Sequence, residues 1–150
     1  MTGLHRRIPV SALVLGWLGV LPFAGLCGAA LTGAVLPKPQ ALDALAVYAM
    51  IILAFMGGVR WGLAMISDPQ RPSPDGTALT VSVVPALIGC ACWFLPRPIG
   101  LVGLMVGFAG LLAYDLLTGQ SFHAPAWYPR LRIQLTAAVL TFLGVAAACQ

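Results

Sequence analysis

The sequence predicts an all-α, polytopic membrane protein: a single integral-membrane domain built as a bundle of five transmembrane helices. Three observations predict it. The chain is 60% hydrophobic and 8% charged over 150 residues, against about 25% charged in a typical soluble domain. With a mean hydropathy of +0.95, one small core could not hide this surface from water, whereas a bilayer can. The apolar residues also fall into five runs, each near the roughly 17–25 residues that a spanning helix needs. None of these runs alternates apolar and polar residues, as a membrane strand would. A helix also satisfies its own backbone polar groups in lipid.

The elements follow in order. The first run, about 9–36, starts after the charged segment MTGLHRR and contains Pro22, which predicts a kink. It is roughly twice the apolar length of a signal peptide and no cleavage box ends it, so it reads as a retained helix. PKPQ (37–40) breaks it from the second run, 41–66. SDPQRPSPDG (67–76) leads to the third, 77–95, with Pro85 as a second expected kink. PRP (96–98) turns the chain into the fourth, 99–117, and TGQSFHAPAWYPRLR (118–132) precedes the fifth, 133–149. Pro125 and Pro129 argue against a long helix in that last connection. It reads as an inner-surface segment, with Trp127 and Tyr128 at headgroup level and Arg130 and Arg132 beside anionic lipid.

Orientation comes from the basic residues. With the N-terminus cytoplasmic and the C-terminus periplasmic, Arg6, Arg7, Arg71, Arg130 and Arg132 fall inside, and only Lys38 and Arg97 outside. Arginine outnumbers lysine seven to one, which points to a GC-rich bacterial genome and so to a bacterial inner membrane. The same scatter of basic residues gives no stripe interleaved with aromatics, so nucleic acid is not an expected partner. The lipid bilayer is.

Within the apolar runs the charges are few. Arg60 sits about six residues from the end of the second run, and Asp115 near the end of the fourth. A lone charge in hydrocarbon costs about 2.5–3.5 kcal/mol at the bilayer centre and less toward the ends. In an up-and-down bundle both lie toward the cytoplasmic face, which makes Arg60 and Asp115 the candidate intramembrane polar pair. Snorkelling of Arg60 to the headgroups and binding of an anion, lipid headgroup or quinone carbonyl are the other readings. Asp43 starts the second run at the opposite face and is not expected to reach Arg60.

Glycines mark the expected helix contacts. Gly100, Gly103, Gly107 and Gly110 form one stripe on the fourth helix, and Gly58 and Gly62 a pair on the second, opposite Arg60. Both sets are expected to pack against another helix, within the subunit first, with contacts between subunits as the alternative. The four cysteines, Cys27, Cys90, Cys92 and Cys149, form no CxxC. Cys90 and Cys92 diverge by about 200° on a helix, so they read as packing residues. No metal site and no cofactor is expected.

Several short stretches in order resemble the domain of unknown function 3429 family (transmembrane protein 69-like). They are LGVLPFAGL, AFMGGVRWGLAM, SVVPAL, AYD and APAWYPRLRIQLT. The resemblance covers nearly the whole chain. It implies a small polytopic membrane protein of bacteria or mitochondria with no established biochemical activity. The chain departs from the family pattern at Arg60, where a histidine often precedes the tryptophan, so no role that needs a titratable imidazole carries over.

Function is narrowed mainly by what is missing. The apolar runs hold two acids, no histidine and no lysine, with no nucleophile–base pair, so an enzyme is not expected. His5 and His123 lie outside the runs, which removes bis-histidine haem. The expectation is a non-enzymatic accessory, assembly or scaffold subunit docking on a larger membrane complex. The alternatives are a small transporter or channel acting as a homo-oligomer, and a lipid- or quinone-binding protein. Five helices without an internal repeat fit many secondary transporters poorly.

Overall fold

The computed structural model describes residues 7–65, 76–117 and 125–149. They form α1 (Val10–Thr32), α2 (Lys38–Met65), α3 (Gly76–Trp93), α4 (Arg97–Leu117) and α5 (Tyr128–Ala148), with no strand among the described residues. All five helices are long and apolar enough to cross a membrane. The chain is a multi-pass membrane protein.

The helix ends differ from the expected ones for local reasons. α1 stops at Thr32 rather than near residue 36. Gly33 takes a left-handed φ of 64° there and donates its N–H to the Ala29 carbonyl, closing the last turn. Three helices begin earlier than expected because proline starts a helix more readily than it continues one. Pro39, Pro98 and Pro129 are each the second residue of α2, α4 and α5. The Pro37 and Pro96 carbonyls accept the first backbone hydrogen bonds of α2 and α4, from Ala41 at 3.0 Å and Gly100 at 2.9 Å. The largest correction is α5. It begins at Tyr128, so Arg130 and Arg132 lie on the helix and not in a surface segment.

Successive helices run antiparallel. The Tyr48 hydroxyl on α2 donates to the Gly19 carbonyl on α1 at 2.9 Å. Gly89 of α3 faces Met50, while Gly57 of α2 faces Ser82 and Pro85. Gly144 of α5 faces Met105 of α4, and α1 closes the ring against α5 through Gly16 and Leu135. α2 and α4 meet across the middle and run parallel, with Leu53 against Gly107. At the centre, Phe23 lies edge-on to Tyr48 and Phe108, with centroids 5.0 and 6.4 Å away. Large apolar side chains such as Leu21, Phe55 and Val106 point outward, as lipid requires.

Small residues fix the close approaches. A Cβ at Gly100 would lie 2.6 Å from the Cys92 carbonyl oxygen, one at Gly103 2.6 Å from Cys92 Sγ, and one at Gly107 2.8 Å from Leu53 Cδ2. Gly110, the fourth member of the expected stripe, is exposed with nothing within 4 Å of its Cβ position. By that level α3 has left α4 and leans on α2, where Ser82 and Pro85 cover Gly57. The expected Gly58–Gly62 contact is corrected by the same lean. The glycine that α3 approaches is Gly57, about 100° round the helix. Gly58 and Gly62 are exposed, with open space at both Cβ positions.

Candidate functional site

α2, α4 and α5 bring three charged side chains together at one end of the bundle. Arg60 lies five residues before the end of α2, Asp115 two before the end of α4, and Arg132 four after the start of α5. At 1.5 Å per residue, all three lie within about 8 Å of the same end. The helix period turns Arg60 inward because Gly58 and Gly62, about 200° away, face outward. Both arginines are only 6% exposed.

Asp115 serves both cations. Arg60 Nη1 donates to Asp115 Oδ1, and Arg132 Nε donates to Oδ2 at 3.3 Å. The Arg60 guanidinium also lies over the Tyr114 ring, 4.4 Å from its centroid; such a contact stabilises by about 0.5–2 kcal/mol according to its desolvation. Arg60 Nε is buried without a hydrogen-bond partner among the described residues. The cluster thus sets two guanidinium groups against one carboxylate. Its Coulomb attraction is largely offset by desolvation; geometrically, the cluster joins α2, α4 and α5 at one height.

Arg132 is a correction to the expected interfacial role. It is buried beneath Arg130, which is exposed, because the two are 200° apart on the early-starting α5. Trp127 and Tyr128 are half-buried and pack edge-to-face, with centroids 6.2 Å apart. The opposite end of the bundle holds an ion pair that the sequence reading missed. Arg97 Nη2 lies 2.7 Å from Asp43 Oδ1, with the guanidinium 4.7 Å from the Trp93 centroid. Lys38 Nζ donates to the Cys149 carbonyl at the same end. The signal for the missed pair was spacing. Asp43 precedes Arg60 by 17 residues and Arg97 precedes Asp115 by 18, so two parallel helices in register align both pairs.

The family model described as Protein of unknown function (DUF3429) matches residues 8–148. The chain belongs to that family. Transmembrane protein 69 of Xenopus tropicalis is 35% identical to this DUF3429 chain over 143 residues, which cover 93% of the chain and 54% of the relative. The chain therefore spans about half the length of that relative. No solved structure matches. Arg60, Asp115 and Arg132 all fall inside the family match.

Proposed function

We propose that this DUF3429 protein is a non-enzymatic accessory or assembly subunit that docks on a larger membrane complex through the outer face of α2. The observation that carries the reading is a seam. Ile51, Phe55, Gly58, Gly62 and Met65 follow one another at four, three, four and three residues, and all are exposed. That is the spacing of a helix packed on another helix. Lipid places no demand for glycine on a helix face, whereas a partner helix does, because small residues let axes come below the usual 8–10 Å. Trp61, 45% exposed beside the seam, supplies an aromatic flank. The three intramembrane charges are turned onto one another and not toward this face, which supports a docking role over catalysis.

The basic residues support a bacterial cytoplasmic membrane with the N-terminus inside and the C-terminus in the periplasm. Arg6, Arg7, Arg71 and Arg130 then lie inside, and Lys38 and Arg97 outside. Arg132 no longer counts, since it is buried on Asp115.

The test is extraction in mild detergent, native mass, and a Gly58→Leu/Gly62→Leu variant. The wild-type chain is expected to carry a stoichiometric larger partner that the double variant loses while keeping its own melting temperature. A wild-type chain of single-subunit mass, or a double variant that retains the partner, overturns the reading. A homo-oligomer enclosing a polar path would replace it with transport.

A further inference from the structure

A cavity of about 140 Å³ lies between α1, α2, α4 and α5; it shares Phe55 with the outer seam but none of the seam's glycines. Its long wall is apolar, from Leu15 and Gly19 on α1 to Phe108 on α4. Its polar wall is α5, where Arg132 and Thr136 line it one turn apart. The cavity therefore has a cationic end near the charged cluster and an apolar body running toward the middle of the bundle.

Two independent observations indicate that its polar end is built for a ligand. The first is Thr136. Thr32, Thr80 and Thr141 each donate their hydroxyl to the carbonyl four residues earlier, the usual way a helical threonine satisfies itself in an apolar setting. Thr136 does not. It is 2% exposed, and its hydroxyl is buried with no partner among the described residues. A buried hydroxyl left unpaired costs free energy that a hydrogen-bonding ligand removes. The second is charge. Arg132 shares Asp115 with Arg60, so among the described residues the cluster beside the cavity holds two guanidinium groups against one carboxylate. A desolvated guanidinium attracts an anion more strongly than one in water does.

Size and access narrow the occupant. A void near 150 Å³ takes one benzene-sized group, so this one encloses part of a single slender chain and not a two-chain lipid. Two lining residues are well exposed, Phe55 at 60% and Leu15 at 68%. They belong to α2 and α1, which puts the mouth between those helices, where Phe55 borders the α2 seam. We propose that this cavity binds a single-chain anionic amphiphile. Its carboxylate or phosphate oxygens accept hydrogen bonds from Arg132 and Thr136, and its chain lies along Gly19 toward Phe108. The proposal does not rest on docking at α2, although a partner seated on Phe55 would cover part of the mouth.

The test uses the full chain in phosphatidylcholine nanodiscs, titrated with oleate, lysophosphatidic acid or oleyl alcohol and read by native mass spectrometry. Saturable one-to-one binding of oleate or lysophosphatidic acid is expected, and the tighter of the two assigns the head as carboxylate or phosphate. Oleyl alcohol, with the same chain and no charge, is expected to bind at least about tenfold more weakly. Gly19→Leu fills the cavity where its Cβ meets nothing within 4 Å and is expected to abolish binding. Thr136→Val keeps the shape, removes the hydroxyl, and is expected to weaken binding about tenfold. Equal binding of oleyl alcohol, no saturable binding by either anion, or unchanged binding in Thr136→Val overturns the proposal. So does unchanged binding in a folded Gly19→Leu; if that variant does not fold, Thr136→Val decides.

Discussion

The same two helices are bridged at both ends of the bundle with opposite polarity. At one end α2 supplies the acid and α4 the base, Asp43 with Arg97; at the other α2 supplies the base and α4 the acid, Arg60 with Asp115. The environments differ more than the chemistry does. The Asp43 side chain is 54% exposed and that of Arg97 22%, so the pair is open to screening from the acid's side. The Asp115 side chain is 13% exposed and wedged between two arginines at 5 and 7%. An exposed ion pair typically contributes about 0–1 kcal/mol. A buried one adds little net stability when complete, yet breaking it costs about 3–5 kcal/mol, because a charge is left without compensation. The comparison predicts that the exposed end tolerates change and that breaking the buried end costs more.

The largest expected effect follows from the stoichiometry of the buried end. Asp115→Ala leaves two buried guanidinium groups with no carboxylate, and a loss of about 3–5 kcal/mol is expected. Arg60→Ala leaves Arg132 still paired with Asp115, so it is expected to cost clearly less. The double variant is expected to be no worse than Asp115→Ala alone, a coupling of about 0.5–3 kcal/mol. Unfolding titrations in one detergent check all three. If Arg60→Ala proves as damaging as Asp115→Ala, Arg132 is not compensating and the three-residue account of this end fails.

A second contrast runs along α4. Gly107→Leu would drive a side chain into Leu53 and Ile88, where a Cβ alone reaches 2.8 and 3.1 Å. A cost of about 1–3 kcal/mol is expected from overpacking. Gly110→Leu meets open space and is expected to be near neutral or slightly stabilising, since glycine is a poor helix former. The same unfolding assay separates them. Equal losses at the two positions would mean that Gly110 is covered, as a continuous four-glycine stripe requires.

Much of this architecture was legible because hydropathy and period are local properties. Five apolar runs became five helices, and Arg60 and Asp115 stood out as charges inside them. What was not legible depended on neighbours or on the double meaning of proline. Pro129 was read as a barrier and instead opens α5, which moved Arg132 from the surface into the cluster. Gly57 carries the α2–α3 approach although Gly58 has the same composition on the page, because only the lean of α3 decides which glycine is covered. Thr136 gave no sequence signal, since its unpaired hydroxyl is a matter of rotamer and packing.

The smallest loss among the ion pairs is expected at the exposed end, and it sharpens the comparison most cleanly. Arg97→Ala removes the partner of a half-exposed acid, so Asp43 can remain charged in water and little is left uncompensated. A change of about 0–1 kcal/mol is expected. The ion-pair part should shrink further as salt is raised, because the Debye length falls from about 10 Å at 0.1 M to about 3 Å at 1 M. Whatever loss survives high salt belongs to the Arg97 stem and its stacking on Trp93, 4.7 Å away. Unfolding of wild type and Arg97→Ala at both salt concentrations separates the two parts. A salt-independent loss of about 3 kcal/mol or more, the cost expected of breaking a buried pair, would show that this end is also buried when membrane surrounds it. The distinction between an exposed clasp and a buried one would then be lost, and α2 and α4 would be pinned equally at both ends.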